Sequence, residues 1–323
     1  MTNSNITGDF IQEFIMNGFQ DLLDRESKVI LSIFFLLTYT ITVFGNMLLV
    51  IVVKLNLKLH TPMYYFICNL AFLDVCIPSV TVPKMLSYLL YEERIIKLEI
   101  CLAQMFFYVA LGVAETFCLT VMSYDRYQAV CNPLMYHSVM SNKKCIELSI
   151  ICWLGGIIIA MILLFLVLRV PLCGSSKMYY SFCDYFALIQ LACTDVMFNT
   201  IVSFTILSFV CLPLIFIMFS YIKILLCLQE LSSLQGRKKA FSTCASHILV
   251  IAIVYLLAVF AFLSNKIPGC SVDARLVAAT LQNILPPMIN PFIFSLQMKE
   301  IRDSLKKLLS AFVFYISSTA RTI

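Results

Sequence analysis

Seven stretches nearly free of charge dominate this chain, over residues 29–53, 61–83, 102–124, 148–168, 196–222, 240–265 and 276–298. Each reaches the roughly 20 residues that a helix needs to cross about 30 Å of hydrocarbon. Inside lipid every backbone N–H and C=O must be paired within its own segment, and a helix does this. Long buried helices of a soluble bundle would carry polar faces at helical spacing, and these runs lack them. Only 13% of the residues are charged and 61% are hydrophobic, whereas soluble domains carry about 25% charge. The 323 residues therefore read as one membrane domain and not as two soluble ones. The expected fold is all-α: a polar N-terminal segment over 1–27, a bundle of seven transmembrane helices over 28–298 and a tail over 299–323. The tail reads as a short amphipathic, basic helix on the membrane surface, with Ile301, Leu305, Leu308 and Leu309 on its apolar face.

Orientation follows from the basic residues. Lys54 and Lys58, Lys143 and Lys144, Arg237 to Lys239, and Lys299, Arg302, Lys306 and Lys307 fall on one side of the spans. Acidic residues such as Asp9, Glu13, Asp21, Glu92, Glu93 and Glu99 gather on the other. The positive-inside bias places the N-terminus outside and the C-terminus in the cytoplasm. The net charge of +5 is thus a property of the inner face, and no nucleic-acid partner is expected. No basic stretch feeds an apolar core within the first 27 residues, so no cleaved signal peptide is read there. Asn5-Ile6-Thr7 is a glycosylation acceptor on the side that would face the lumen.

Cysteine usage divides by side. Cys68, Cys76, Cys118, Cys131, Cys145, Cys152, Cys211, Cys227 and Cys244 lie in the spans or at their inner ends. There they read as small apolar residues. Cys101, Cys173, Cys183 and Cys193 fall on the oxidising outer side, where three pairings are open; Cys270 is left over.

Signs of catalysis are missing from the sequence. His60, His137 and His247 are dispersed without metal-ligand spacing, and there is no Gly-rich phosphate loop, HExxH or GxSxG. The chain is expected not to be an enzyme. The sharpest features inside the spans are two carboxyls, Asp74 and Glu115. A charge near the bilayer centre costs several kcal/mol, so both should face the bundle interior and a partner. Glu115 lies eleven residues, about three turns, before Arg126, which puts it near mid-membrane. Asn46 and Asn290 are polar at comparable depth. An ion-coupled transporter could use such a pair, but the repeated halves and paired broken helices of inverted-repeat carriers are not visible.

The string Met122-Ser-Tyr-Asp-Arg-Tyr-Gln-Ala-Val-Cys-Asn-Pro-Leu-Met-Tyr136 sits where the third span meets a basic loop. It resembles the third-helix end of the rhodopsin-like G protein-coupled receptors, and more narrowly that of the odorant receptors. The resemblance covers almost the whole chain. Gly45-Asn46, His60-Thr-Pro-Met-Tyr-Tyr-Phe66, Trp153, Ser181-Phe-Cys-Asp184, Leu191-Ala-Cys-Thr-Asp195, Ser220-Tyr221, Lys239-Ala-Phe-Ser-Thr-Cys-Ala-Ser-His247 and Pro287-Met-Ile-Asn-Pro-Phe-Ile-Phe-Ser-Leu296 all match family motifs. The sixth-span string favours an odorant receptor over a non-olfactory receptor of the same class.

What the resemblance implies is specific. It pairs Cys101 with Cys183 and Cys173 with Cys193. It assigns G-protein coupling and activation to Asp125, Arg126, Tyr127, Tyr221, His247, Asn290, Pro291 and Phe294. It suggests that Asp74, Glu115, Asn46 and Asn290 resemble a central polar network that can hold a sodium ion; no other cofactor is expected. Counting along the spans aims Tyr108, Gly112, Val113, Thr205, Tyr255, Ala258, Phe262, Thr280 and Asn283 inward around a mostly apolar ligand cavity. Tyr255 would sense the ligand, and Lys266 could meet a ligand carboxylate. The implied partners are a small odorant, a heterotrimeric G protein of the stimulatory olfactory type acting through cAMP, membrane lipid and trafficking chaperones. The implied location is the ciliary plasma membrane. Two departures stand out. Phe294 occupies the tyrosine of the Asn-Pro-x-x-Tyr motif, and Leu296-Gln-Met298 replaces the usual Leu-Arg-Asn.

Overall fold

The computed structural model describes residues 12–18, 24–173, 176–230, 234–264, 267 and 271–319. Seven long helices form one bundle: α1 (Arg25–Leu55), α2 (Pro62–Tyr91), α3 (Leu98–Cys131), α5 (Asn142–Leu168), α7 (Met197–Glu230), α8 (Leu234–Ser264) and α9 (Val272–Gln297). Two short helices, α4 (Tyr136–Val139) and α6 (Tyr185–Ile189), sit in the connections, and α10 (Lys299–Thr319) follows α9.

Among the described residues, six of the seven long helices are apolar enough to span a membrane by length and composition. The exception is α9, and its position explains why. It packs against α1, α2 and α8 and turns Thr280, Asn283 and Asn290 into the interior, where each is at most 3% exposed. A helix that lines the polar centre of the bundle cannot be as apolar as one that faces lipid.

Local sequence sets the helix boundaries. Pro62 opens α2, where its missing N–H is no loss. Ser141 caps α5 by accepting from the Lys144 N–H at 3.3 Å, and Ser271 caps α9 by accepting from Ala274 at 3.2 Å. Within the spans, hydroxyls fold back onto their own backbone, as Thr42 does on the carbonyl of Thr38 at 2.8 Å.

At the end of the bundle nearer the N-terminus lies a three-stranded sheet that the all-α reading did not anticipate. Its order is β2 (Ile95–Lys97), β1 (Glu13–Met16), β3 (Lys177–Met178), with β1 antiparallel to β2 and parallel to β3. Phe14 and Met16 of β1 are buried, so part of the segment read as a polar lead-in belongs to the core. The core has two buried clusters, one beneath this sheet and one toward α10. Ile301 of α10 is fully buried in the second, with Leu305 and Leu308 packed on it. Leu309 is 55% exposed.

Candidate functional site

Three polar constellations run through the bundle from the sheet end to the α10 end. Nearest the sheet, disulfides join Cys101 to Cys183 and Cys173 to Cys193. Gln104 ties the same loop down a second way. Its side-chain N–H donates to the carbonyl of Val80 at 2.9 Å, while its Oε1 accepts from the Cys183 N–H at 2.8 Å. Sequence reading missed Gln104, because a glutamine one turn from a cysteine carries no signal of its own.

Beneath this loop lie the residues counted toward a ligand. Tyr108 stacks on Phe182 with ring centroids 4.8 Å apart, and a Cβ added at Gly112 would meet no atom within 4 Å. Val113, Thr280 and Asn283 are buried, and Tyr255 and Ala258 are half-buried. Asn283 donates to the hydroxyl of Thr81. The hydroxyls of Tyr255 and Thr280 are buried without a hydrogen-bond partner among the described residues, so polar groups already point into this region. Thr205 departs from the reading: it is exposed, and its hydroxyl bonds the carbonyl of Ile201 in its own helix at 2.9 Å.

Phe262 lines a cavity of about 120 Å³ with Tyr180, Asp184, Phe186, Gln190, Phe204 and Arg275. Burial pushes the Asp184 carboxyl above its ordinary value. A larger cavity of about 630 Å³ opens between α2 and the start of α5 at the α10 end. Tyr65, Phe72 and Ile146 in its lining are exposed at the helix surface, so it belongs to the lipid boundary and not to the bundle interior. Asn5 and Lys266 lie outside the described residues.

The central constellation is built by a proline. Pro291 has no N–H, so the Pro287 carbonyl one turn earlier loses its helical partner. The side-chain N–H of Asn46 donates to that carbonyl at 2.9 Å. Gly45 is small because a Cβ there would stand 3.0 Å from the Pro291 ring. Next to this junction Asn290 donates to both carboxylate oxygens of Asp74, at 3.1 and 3.0 Å. Glu115 is near enough to act on the Asp74 charge, and its Oε1 has no hydrogen-bond partner among the described residues. The two carboxyls thus share one polar layer, but Asn290 bonds only the first of them. Among the described residues no group of three or more His, Cys, Asp or Glu could hold a metal ion.

At the α10 end, Arg126 donates through Nε to Asp125 Oδ2 at 3.0 Å and through its terminal nitrogen to the same oxygen. Asp125 is fully buried, and its other oxygen accepts from the Tyr136 hydroxyl at 2.8 Å. The hydroxyl of Tyr221 on α7 hydrogen-bonds Nδ1 of His247 on α8. Phe294 is 2% exposed and shares a gap of about 10 Å³ with Asp125, Arg126, His247 and Met298. Tyr127 is half-buried against the core. Four helices thus converge on one arginine, and the aromatic ring of α9 closes the space beside it.

A third disulfide, Cys131–Cys227, joins the ends of α3 and α7 here. The expectation that both were merely small apolar residues is corrected. Their separation of 96 positions on two different helices left no sequence signal.

The family model described as olfactory receptor matches residues 35–311. The chain is 39% identical to human olfactory receptor 6N1 over 93% of its length and 96% of that protein. It is 38% identical to mouse olfactory receptor 4E2, covering 92% and 95% of the two chains. Among solved structures, squid rhodopsin superposes with a TM-score of 0.73 at 18% identity, over 90% of this chain and 87% of that one. That likeness fixes the fold as the seven-helix rhodopsin type, and the sequence matches settle the rest: this chain belongs to the olfactory receptor family, a receptor and not an enzyme.

Proposed function

We propose that this receptor binds a small odorant beneath the Cys183 loop and passes the event to a heterotrimeric G protein at the α10 end. The observation that carries the reading is Arg126, held between a buried carboxylate and the Phe294 ring where four helices meet. Such an arrangement can act as a two-state element, which a ligand with higher affinity for one state would shift. Odorant packing near Tyr255 would bias α8 and α9, release Arg126 from Asp125 and admit the C-terminal helix of a G-protein α-subunit. The sheet end then faces outside and the α10 end the cytoplasm, in agreement with the basic residues there. The G protein is of the stimulatory type that raises cAMP, and the receptor works in the ciliary plasma membrane with lipid around α10 and chaperones assisting its delivery.

A sodium ion suits the central layer in the closed state. Asn46 Oδ1, Asn290 Oδ1 and Glu115 Oε1 are buried oxygens without hydrogen-bond partners among the described residues, beside the Asp74 carboxylate. Hard oxygen donors of this kind suit a hard cation. Sodium-dependent thermal stability that disappears in Asp74→Asn would support the ion; equal stability in sodium and in a bulky organic cation would remove it.

The coupling itself is tested by a cAMP reporter in cells, screened against acids, amines, amino acids and neutral volatiles. Arg126→Ala should abolish the evoked signal at unchanged surface expression. A normal response in that variant would refute the assignment.

A further inference from the structure

We propose that Cys131 and Cys227 form a reversible oxidation site on the cytoplasmic face that restrains the receptor in its closed state. The inference rests on the orientation and coupling given above. The two thiols close the ends of α3 and α7, with Cα atoms 5.7 Å apart, within the span a disulfide requires. Both residues are only half-buried, so a small oxidant reaches them. Among the described cysteines without a disulfide, Cys118, Cys145, Cys152 and Cys244 are buried, Cys68 and Cys76 half-buried and Cys211 exposed, and none of them has a thiol partner. The other two disulfides lie at the sheet end, in an oxidising compartment. This one faces the cytosol, where glutathione keeps thiols reduced and disulfides are mostly transient or sensory.

The chemistry needs a peroxide as oxidant. One thiolate attacks a peroxide oxygen, the O–O bond breaks, and a sulfenic acid and water form. The second thiol attacks that sulfur, the S–O bond breaks, and a second water leaves as the disulfide closes. Each cysteine is oxidised by one electron and the peroxide is reduced by two. Two glutathione molecules reverse the step by thiol–disulfide exchange and leave as their own disulfide.

The consequence follows from what α7 holds. Tyr221, six residues before Cys227, is hydrogen-bonded to His247 of α8. A covalent tie from α3 to α7 therefore restrains α8 as well, at the face that must open beside Arg126, five residues from Cys131. Oxidation should favour the closed state.

The test uses the full-length receptor in lipid nanodiscs, held in reduced glutathione or exposed to hydrogen peroxide. Peptide mapping without reductant should find Cys131 linked to Cys227 after peroxide and unlinked after glutathione, with Cys101–Cys183 linked in both. Peroxide should also slow amide exchange over residues 223–230. Nucleotide exchange on a purified stimulatory G protein should be lost after peroxide and recover with glutathione. Cys131→Ser and Cys227→Ser should couple normally in glutathione and ignore peroxide. Separate peptides for the two cysteines after peroxide, unchanged amide exchange, or equal loss of coupling in wild type and both variants would each overturn the proposal. If coupling is absent in both redox states, the G-protein reading fails, while the peptide map and amide exchange still decide this one.

Discussion

Tyr136 donates its hydroxyl to the carboxylate oxygen of Asp125 that Arg126 leaves free, at 2.8 Å. Asp125 therefore joins two elements, its own helix α3 and the loop helix α4. A buried carboxylate holding both is a more rigid anchor for Arg126 than one holding the arginine alone. Tyr136→Phe removes one hydrogen bond worth about 1 kcal/mol and leaves the ring in place. Basal cAMP should rise roughly fivefold if only the closed state makes this bond. Basal signalling at or below wild type, at equal surface expression, would show that the bond survives opening.

Asn46 and Pro291 should be energetically coupled. Asn46→Ala leaves the Pro287 carbonyl buried without its 2.9 Å donor, a loss of ~1–3 kcal/mol. Pro291→Ala restores an N–H to pair with that carbonyl within the helix. In the Pro291→Ala background, then, Asn46→Ala should cost clearly less. Thermal unfolding of the purified variants measures the cycle, and additive losses would mean that Asn46 acts through another contact.

Among the described glycines, Gly156 stands closest to a neighbouring helix. A Cβ at this position would lie 2.2 Å from the backbone carbonyl oxygen of Ala110, so α3 and α5 must separate to admit it. Gly156→Ala should destabilise by ~1–3 kcal/mol through overpacking and lower surface yield. At Gly155 the nearest atom belongs to the Phe117 side chain, 2.6 Å away. A ring edge can turn where a backbone cannot, so Gly155→Ala should be milder. The reverse order in melting temperature would contradict this picture of the interface.

Legibility in the sequence tracked how far each signal depends on partners. The spans could be read because lipid imposes its demand on each helix singly, and Asp74 stood out because an acid in such a span has few alternatives. Asn290 could be placed at its depth but not paired, since only the fold shows that it reaches both Asp74 oxygens. Strands of two to four residues carry no periodicity, so the sheet was invisible. The ligand region was the least legible part. Counting along an ideal helix places Thr205 inward, and a modest rotation of α7 turns such a side chain from the interior to a neighbouring surface.

Phe294, which stands where the resemblance implies a tyrosine, packs beside Arg126. The ring shares a gap of about 10 Å³ with Asp125, Arg126 and His247, at the lower limit of what one water needs. A hydroxyl added by Phe294→Tyr is therefore crowded there, and overpacking costs ~1–3 kcal/mol. The Tyr221 hydroxyl is already engaged by His247. In an open state with α8 moved away, both hydroxyls would be released, and a bridge between them would add ~0.5–1.5 kcal/mol. Both effects act in the same direction, so basal cAMP should rise in Phe294→Tyr. Tyr221→Phe in the same chain should remove the part due to the bridge and leave the part due to crowding. A fall in basal signal would mean that the new hydroxyl bonds the buried Nε2 of His247, which has no partner among the described residues, and so locks the receptor closed.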